Sequence, residues 1–190
     1  MKKNIAIFAS GSGTNAENIV RFFKNSGSVE IRLIVSNKKD AYVLERAKQL
    51  GVPSIVFPKE EWMDGEKILQ KMQECSIDFI VLAGFLLKVP DCLMAHYPQK
   101  IVNIHPALLP KHGGKGMYGD RVHEQVVACG DTLSGITIHY INSNYDEGST
   151  IFQATCQVLP SDTPEQVAKK VHALEYKHYP AIINKVLSEL

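Results

Sequence analysis

The sequence predicts an α/β fold: a Rossmann-like, mostly parallel twisted sheet with helices on both faces and antiparallel strand pairing in its C-terminal part. Three observations carry that prediction. Apolar, β-branched runs alternate with helical patterns through the first half of the chain. Those runs have no polar face, as strands covered by helices on both sides require. Toward the C-terminus, two strand patterns are joined by a segment too short to hold a crossover helix, so they should pair antiparallel.

Taken in order, residues 4–9 read as a buried strand and residues 29–35 as a second, with Ile31, Leu33 and Val35 alternating. Residues 54–57 and 79–82 add two short strands, the latter Phe-Ile-Val-Leu without a polar break. Helices are expected over 15–24, 41–50 and 61–75, the last carrying Ile68, Leu69 and Met72 on one face. The second half changes character. Residues 100–104 make a short strand, followed by a stiff stretch from Pro106 to Pro110 and the glycine-rich Gly113-Gly114-Lys115-Gly116. A helix is expected over 119–129, then strands at 135–141 and 150–159 around the turn-rich residues 142–148. Thr163 and Pro164 open a long final helix, with Ser161 and Asp162 supplying capping side chains. No repeat or flexible linker interrupts this pattern, so residues 1–190 read as one domain.

Composition excludes several classes. The chain has 190 residues, of which 45% are apolar, and carries 21 Lys+Arg against 20 Asp+Glu for a net charge of +1. That is enough apolar content for a buried core and too little charge for a disordered chain. A nucleic-acid-binding domain would be strongly basic, and this one is not. Cys75, Cys92, Cys129 and Cys156 form no CxxC pair, which favours free thiols over a disulfide framework or a zinc site. The apolar run Ile5-Ala6-Ile7-Phe8-Ala9 behind Met-Lys-Lys falls short of the roughly 7–15 residues of a secretion signal. No stretch approaches the ~20 apolar residues of a membrane span. The expected location is cytoplasmic.

Two segments carry chemistry. Ser10-Gly11-Ser12-Gly13-Thr14-Asn15-Ala16 joins the first strand to the first helix. Glycines let backbone approach a ligand closely, and a helix N-terminus offers N–H groups and partial positive charge to an anion. The pattern G-x-G-x-x-A resembles a dinucleotide fingerprint, but Ser36-Asn37 stands where the ribose-gripping acid belongs. No lysine follows as in a Walker loop. The segment reads either as a tight strand–helix turn or as a site for a phosphate-bearing ligand.

The second segment is Asn103-Ile104-His105-Pro106, at the end of a strand. Alternation puts Asn103 and His105 on one face. A carboxamide and an imidazole side by side suit the stabilisation of an oxyanion on a carbonyl under attack. Asp146, in the turn Tyr145-Asp146-Glu147-Gly148, is placed to orient the imidazole and favour its charged form. His139 is a further candidate. Spacing alone leaves open whether these groups meet; a loop-capping His and a turn-closing Asn would look the same.

Together these strings resemble the folate-dependent formyltransferases. Phe8-Ala9-Ser10-Gly11-Ser12-Gly13-Thr14-Asn15 is similar to the family's phosphate loop, and Val35-Ser36-Asn37-Lys38 to its second strand end. Leu82-Ala83-Gly84-Phe85 resembles its folate-pocket entry, and Asn103-Ile104-His105-Pro106-Ala107-Leu108-Leu109-Pro110 its most diagnostic string. Asp146-Glu147-Gly148 with Ile151-Phe152-Gln153-Ala154 resembles its catalytic-aspartate turn and the strand after it. The resemblance implies transfer of a formyl group from 10-formyltetrahydrofolate, as co-substrate, to the primary amine of 5′-phosphoribosylglycinamide. Gly13, Thr14 and Asn15 would hold the phosphate and Glu175 the ribose end. Asn103, His105 and Asp146 would be catalytic. Leu86, Leu87, Lys88 and Val89, with Asn103, would meet the folate. No metal is implied, because a formyl carbon is already electrophilic.

The sequence departs from the common family pattern twice. Leu87, with Lys88 next, stands where many relatives carry an arginine. Residues 111–119 are longer than the usual stretch and read either as a mobile surface loop or, through Lys111 and Lys115, as an anion-meeting one. His112 and His123 are expected to face solvent or cap a loop. A different acceptor (water, a sugar nucleotide or methionyl-tRNA) is the main alternative. The chain's length argues against it, since those relatives usually carry an extra region. A nucleotide-binding module without chemistry would leave Asn103, His105 and Asp146 unexplained.

Overall fold

The structure is a computed structural model that describes residues 2–190. In chain order its elements are β1 (Lys3–Phe8), α1 (Thr14–Phe23), β2 (Val29–Ser36), α2 (Val43–Leu50), β3 (Ser54–Val56), a 3-10 turn (Lys59–Trp62), α3 (Glu66–Glu74), β4 (Phe79–Leu82), α4 (Asp91–His96), β5 (Ile101–His105), α5 (Asp120–Ala128), β6 (Leu133–Tyr140), β7 (Thr150–Gln157) and α6 (Pro164–Ser188). The strands form a seven-stranded sheet in the order β3-β2-β1-β4-β5-β6-β7. Pairing is parallel for β1–β2, β1–β4 and β2–β3 and antiparallel for β6–β7, as the sequence predicts. The chain divides into two compact units, one ending at Val102 and the other beginning at Asn103.

In the first unit, Ile5, Ala6, Ile7 and Phe8 of β1 and Phe79, Ile80 and Val81 of β4 are fully buried, which explains why these strands carry no polar face. α1 buries Ala16, Ile19, Val20 and Phe23, a spacing of three and four that lays one stripe on the core. Phe8, Trp62 and Phe85 form an aromatic cluster with ring centroids 4.6–5.6 Å apart, and the Trp62 indole N–H donates to the Phe57 carbonyl at 2.7 Å.

The helix expected over 61–75 is shorter than predicted. Its first part is the 3-10 turn, and α3 begins only at Glu66. The break is Gly65, at φ 75°, where a Cβ would come within 2.7 Å of Pro90 Cγ and 2.8 Å of Cys92 Sγ. That crowding comes from residues some twenty-five positions away, so local periodicity cannot reveal it. The short helix α4 was likewise not expected.

In the second unit, β6 and β7 pair with Thr137 opposite Gln153, and the register shifts between Ile138 and His139. Such a bulge re-aims the side chains beside it. α6 buries Val167, Val171, Glu175, Tyr179 and Ile183 along one face. Its N-cap is Thr163, whose hydroxyl accepts from the Gln166 N–H while the Gln166 side chain accepts from the Thr163 N–H at 2.7 Å. Ser161 and Asp162 do not cap it. Asp162 instead accepts from the Leu159 N–H and pairs with Lys170, closing the turn before the helix.

Candidate active site

The loop after β1 is fixed by its neighbours within the first unit. The Ser10 N–H donates to the Gly84 carbonyl at 3.0 Å, and the Ser10 hydroxyl donates to Asn37 Oδ1 at 2.6 Å while accepting from the Leu86 N–H. Val43 N–H donates to the Gly11 carbonyl and Arg46 Nε to that of Ser12. Arg46 also pairs with Glu17 in the first turn of α1. With the Gly11 and Ser12 carbonyls so engaged, the loop leads into α1, and the N-terminal end of a helix carries partial positive charge. Gly13 is the N-cap, at φ 74°, and no side chain takes its place as a cap. A backbone anion site at this turn is thus physically available.

The residues expected to meet the folate follow β4. Leu86 is exposed and Leu87 half-buried, Lys88 is exposed and 3.5 Å from Asp91, and Val89 is buried.

In the second unit, the groups proposed for catalysis come together. Asn103 and His105 lie on β5, His139 on β6 beside the bulge, and Asp146 in the turn before β7. His105 Nδ1 is 3.5 Å from Asp146 Oδ2, and His139 Nε2 is 3.6 Å from Asp146 Oδ1. Asn103 Nδ2 donates to His139 Nε2 at 3.2 Å, while His139 Nδ1–H donates to the Tyr140 carbonyl at 2.8 Å. Asp146 sits at φ 57°, a left-handed conformation that asparagine and aspartate tolerate better than most residues.

Burial pushes the His105 imidazole below its ordinary range, and the Asp146 charge and the His112 carbonyl only partly pull it back. His105 is therefore neutral near pH 7, and its contact with Asp146 is that of a carboxylate beside a neutral ring. Burial alone would raise Asp146. The neighbouring His139 and His105 imidazoles and the Gly114 N–H outweigh it, and the carboxyl lies below its usual range.

The loop after β5 joins this cluster. His105 Nε2–H donates to the His112 carbonyl at 2.8 Å, and the Gly114 N–H donates to Asp146 Oδ2 at 3.0 Å. His112 is not solvent-facing. Its ring is 9% exposed and lies 2.6 Å from Asp131 Oδ2. Beside it a cavity of about 250 Å³ opens among Ala107, Leu108, Val126, Asp131 and Ser134. His123 is also buried, on α5, with its ring 6.1 Å from that of His172. His172 Nδ1 is 2.8 Å from Glu175 Oε2, and this bond raises the His172 pKa. Among the described residues, no group of three or more His, Cys, Asp and Glu side chains is disposed to hold a metal ion.

A family model described as formyl transferase matches residues 3–183. The chain belongs to the formyl transferase family. Membership implies a folate-type formyl donor and small-molecule substrates. This formyl transferase is 40% identical over 195 residues to the chloroplastic phosphoribosylglycinamide formyltransferase of Arabidopsis thaliana, covering 99% of the chain and 66% of that protein. It spans less than two thirds of the length of the plant relatives it matches. To the phosphoribosylglycinamide formyltransferase of Bacillus subtilis it is 34% identical, over 97% of the chain and 95% of that protein. The crystal structure of phosphoribosylglycinamide formyltransferase from Bacillus halodurans matches at a TM-score of 0.88 and 36% identity, over 98% of this chain and 96% of that one.

Sequence reasoning missed the His112–Asp131 pair and the Arg46 tie to the loop after β1. Neither has a motif to announce it; each is a contact between residues far apart in the chain. Among the described residues, no helix is long and apolar enough to cross a membrane.

Proposed function

We propose that this formyl transferase moves the formyl group of 10-formyltetrahydrofolate to the amine of 5′-phosphoribosylglycinamide in purine biosynthesis, giving formylglycinamide ribonucleotide and tetrahydrofolate. The observation that carries this reading is the convergence of Asn103, His105 and Asp146, with His139 joining them. The names of its relatives favour the acceptor.

The chemistry follows from the donors and acceptors present. Attack of the neutral amine on the formyl carbon puts negative charge on the formyl oxygen and positive charge on the nitrogen. Asn103 Nδ2 has two hydrogens; one is given to His139, and the second serves the oxyanion. His105, neutral at the start, accepts the proton shed by the attacking nitrogen. The resulting imidazolium is stabilised by ionised Asp146. Collapse breaks the bond from carbon to the folate N10, which takes the proton as it leaves. The formyl carbon is electrophilic without a Lewis acid, so the reaction as drawn needs no metal.

In this reading Gly13, Thr14 and Asn15 hold the phosphate and Glu175 the ribose. Leu86, Leu87, Lys88 and Val89, with Asn103, meet the folate. Leu87 stands at the position of the family's usual arginine, and Lys88 beside it offers a compact charge rather than a bidentate fork. Both units belong to one formyltransferase domain, a view favoured by the span of the family match. The cysteines are free thiols, which favours a cytoplasmic setting. The test offers each acceptor separately with 10-formyltetrahydrofolate. Transfer to 5′-phosphoribosylglycinamide far above transfer to water, a sugar-nucleotide amine or methionyl-tRNA supports the reading. Equal or greater activity on any of those would replace it.

A further inference from the structure

We propose that Asp131 is a positioning residue: by holding the His112 ring it presents the His112 carbonyl to His105 and locks His105 as the Nε2–H tautomer, leaving Nδ1, beside Asp146, as the nitrogen that exchanges the proton. The inference rests on the formyl-transfer reading and adds to it the identity of the working nitrogen.

A backbone carbonyl can only accept, so a ring nitrogen 2.8 Å from the His112 oxygen must carry hydrogen. In neutral His105 the other nitrogen is then bare. That nitrogen is Nδ1, 3.5 Å from Asp146 Oδ2. The lock is only as good as the placement of the His112 carbonyl. His112 sits at φ 55°, a left-handed conformation unusual for histidine, and a free loop would relax out of it. What holds it is its own ring, bound at 2.6 Å to Asp131 in a site where both side chains are about nine-tenths buried.

Asp131 is fitted for that task. Hydrogen bonds from Lys111 and then His112 hold its carboxyl below the usual range, so it stays ionised and keeps accepting. The next residues need the same placement. At Gly113 a Cβ would overlap Leu109 Cδ2 and lie 3.4 Å from Asp146 Cβ, and the Gly114 N–H binds Asp146 Oδ2. One short stretch of backbone thus contacts both members of the His105–Asp146 pair. The charged and titratable groups facing His105 are Asp146 from the β6–β7 turn, His139 from β6, His112 from the loop and His123 from α5.

The test compares wild type with Asp131→Asn and His112→Asn. Asparagine tolerates the left-handed backbone at 112 but is too short to replace the ring, so the second variant serves if the first fails to fold. Imidazole ¹⁵N NMR, with His105 assigned by His105→Ala, reads the tautomer without substrate. We expect Nε2–H in wild type and a mixture of tautomers in both variants. kcat should fall about 10–100-fold, in the range seen for groups that orient a reacting side chain, with KM for both substrates little changed. Nδ1–H in wild type, or a lock that survives in both variants, would overturn the proposal. An unchanged kcat in both variants of an active wild type would do the same. Wild-type protein that transfers no formyl group would instead remove the functional reading, and the NMR result would still decide the lock.

Discussion

Replacing Gly13 by alanine should destabilise the protein sharply, while Gly11→Ala, two residues earlier in the same loop, should not. At Gly13 two costs add. The backbone sits at φ 74°, where an L side chain costs about 1–2 kcal/mol. The new Cβ would also lie 2.8 Å from Val43 Cα and overlap Val43 Cβ and Cγ2, an overpacking that costs about 1–3 kcal/mol. Val43 is fully buried and its N–H is bound to the Gly11 carbonyl, so it cannot step aside cheaply. The sum is a loss of about 2–5 kcal/mol. A Cβ at Gly11 meets nothing within 4 Å, and the change there should stay within about 0.5 kcal/mol. Equilibrium urea unfolding of wild type and the two variants reads the difference from the midpoints. A Gly13→Ala protein as stable as wild type, or equal losses at both positions, would refute the steric account of this turn.

Asp146→Asn removes the charge that pulls the His105 proton affinity up against burial. Because the mechanism uses neutral His105, activity is lost as pH falls through the His105 pKa. The variant's acid limb in kcat should therefore move to lower pH, with a plateau reduced by about 10²–10⁴-fold; a limb moved upward would contradict the assignment. Ser134 is 2% exposed, and its hydroxyl has no hydrogen-bond partner among the described residues. Ser134→Ala should raise stability by roughly 1 kcal/mol in urea unfolding, and a clear loss would show that the hydroxyl is satisfied after all. Thr163→Ala breaks the capping box of α6 and should cost about 1 kcal/mol in the same assay, whereas Ser161→Ala should be silent.

The strands were legible because burial on both faces leaves an unbroken apolar run, as β4 shows to the residue. The pairing of β6 with β7 was legible because the connection is too short for a helix. What the sequence hid were decisions made by distant residues. Pro90 and Cys92 fix the start of α3 by crowding Gly65. The choice of cap for α6 falls to Thr163 because Asp162 is drawn to Lys170 and the Leu159 N–H. At the site, strand alternation was enough to put Asn103 and His105 on one face. The bulge at His139 and the left-handed Asp146, which complete the cluster, leave no local pattern. His112 was misread for a physical reason too: a histidine among glycines looks like a loop residue until Asp131 is seen to hold it.

Formyl transfer from 10-formyltetrahydrofolate to 5′-phosphoribosylglycinamide by the purified protein, measured beside its His105→Ala variant, bears on the central claim most directly. The account predicts ready transfer by wild type and its near-complete loss in a variant that stays folded. Transfer by the variant at the wild-type rate, or none by wild type, would contradict it.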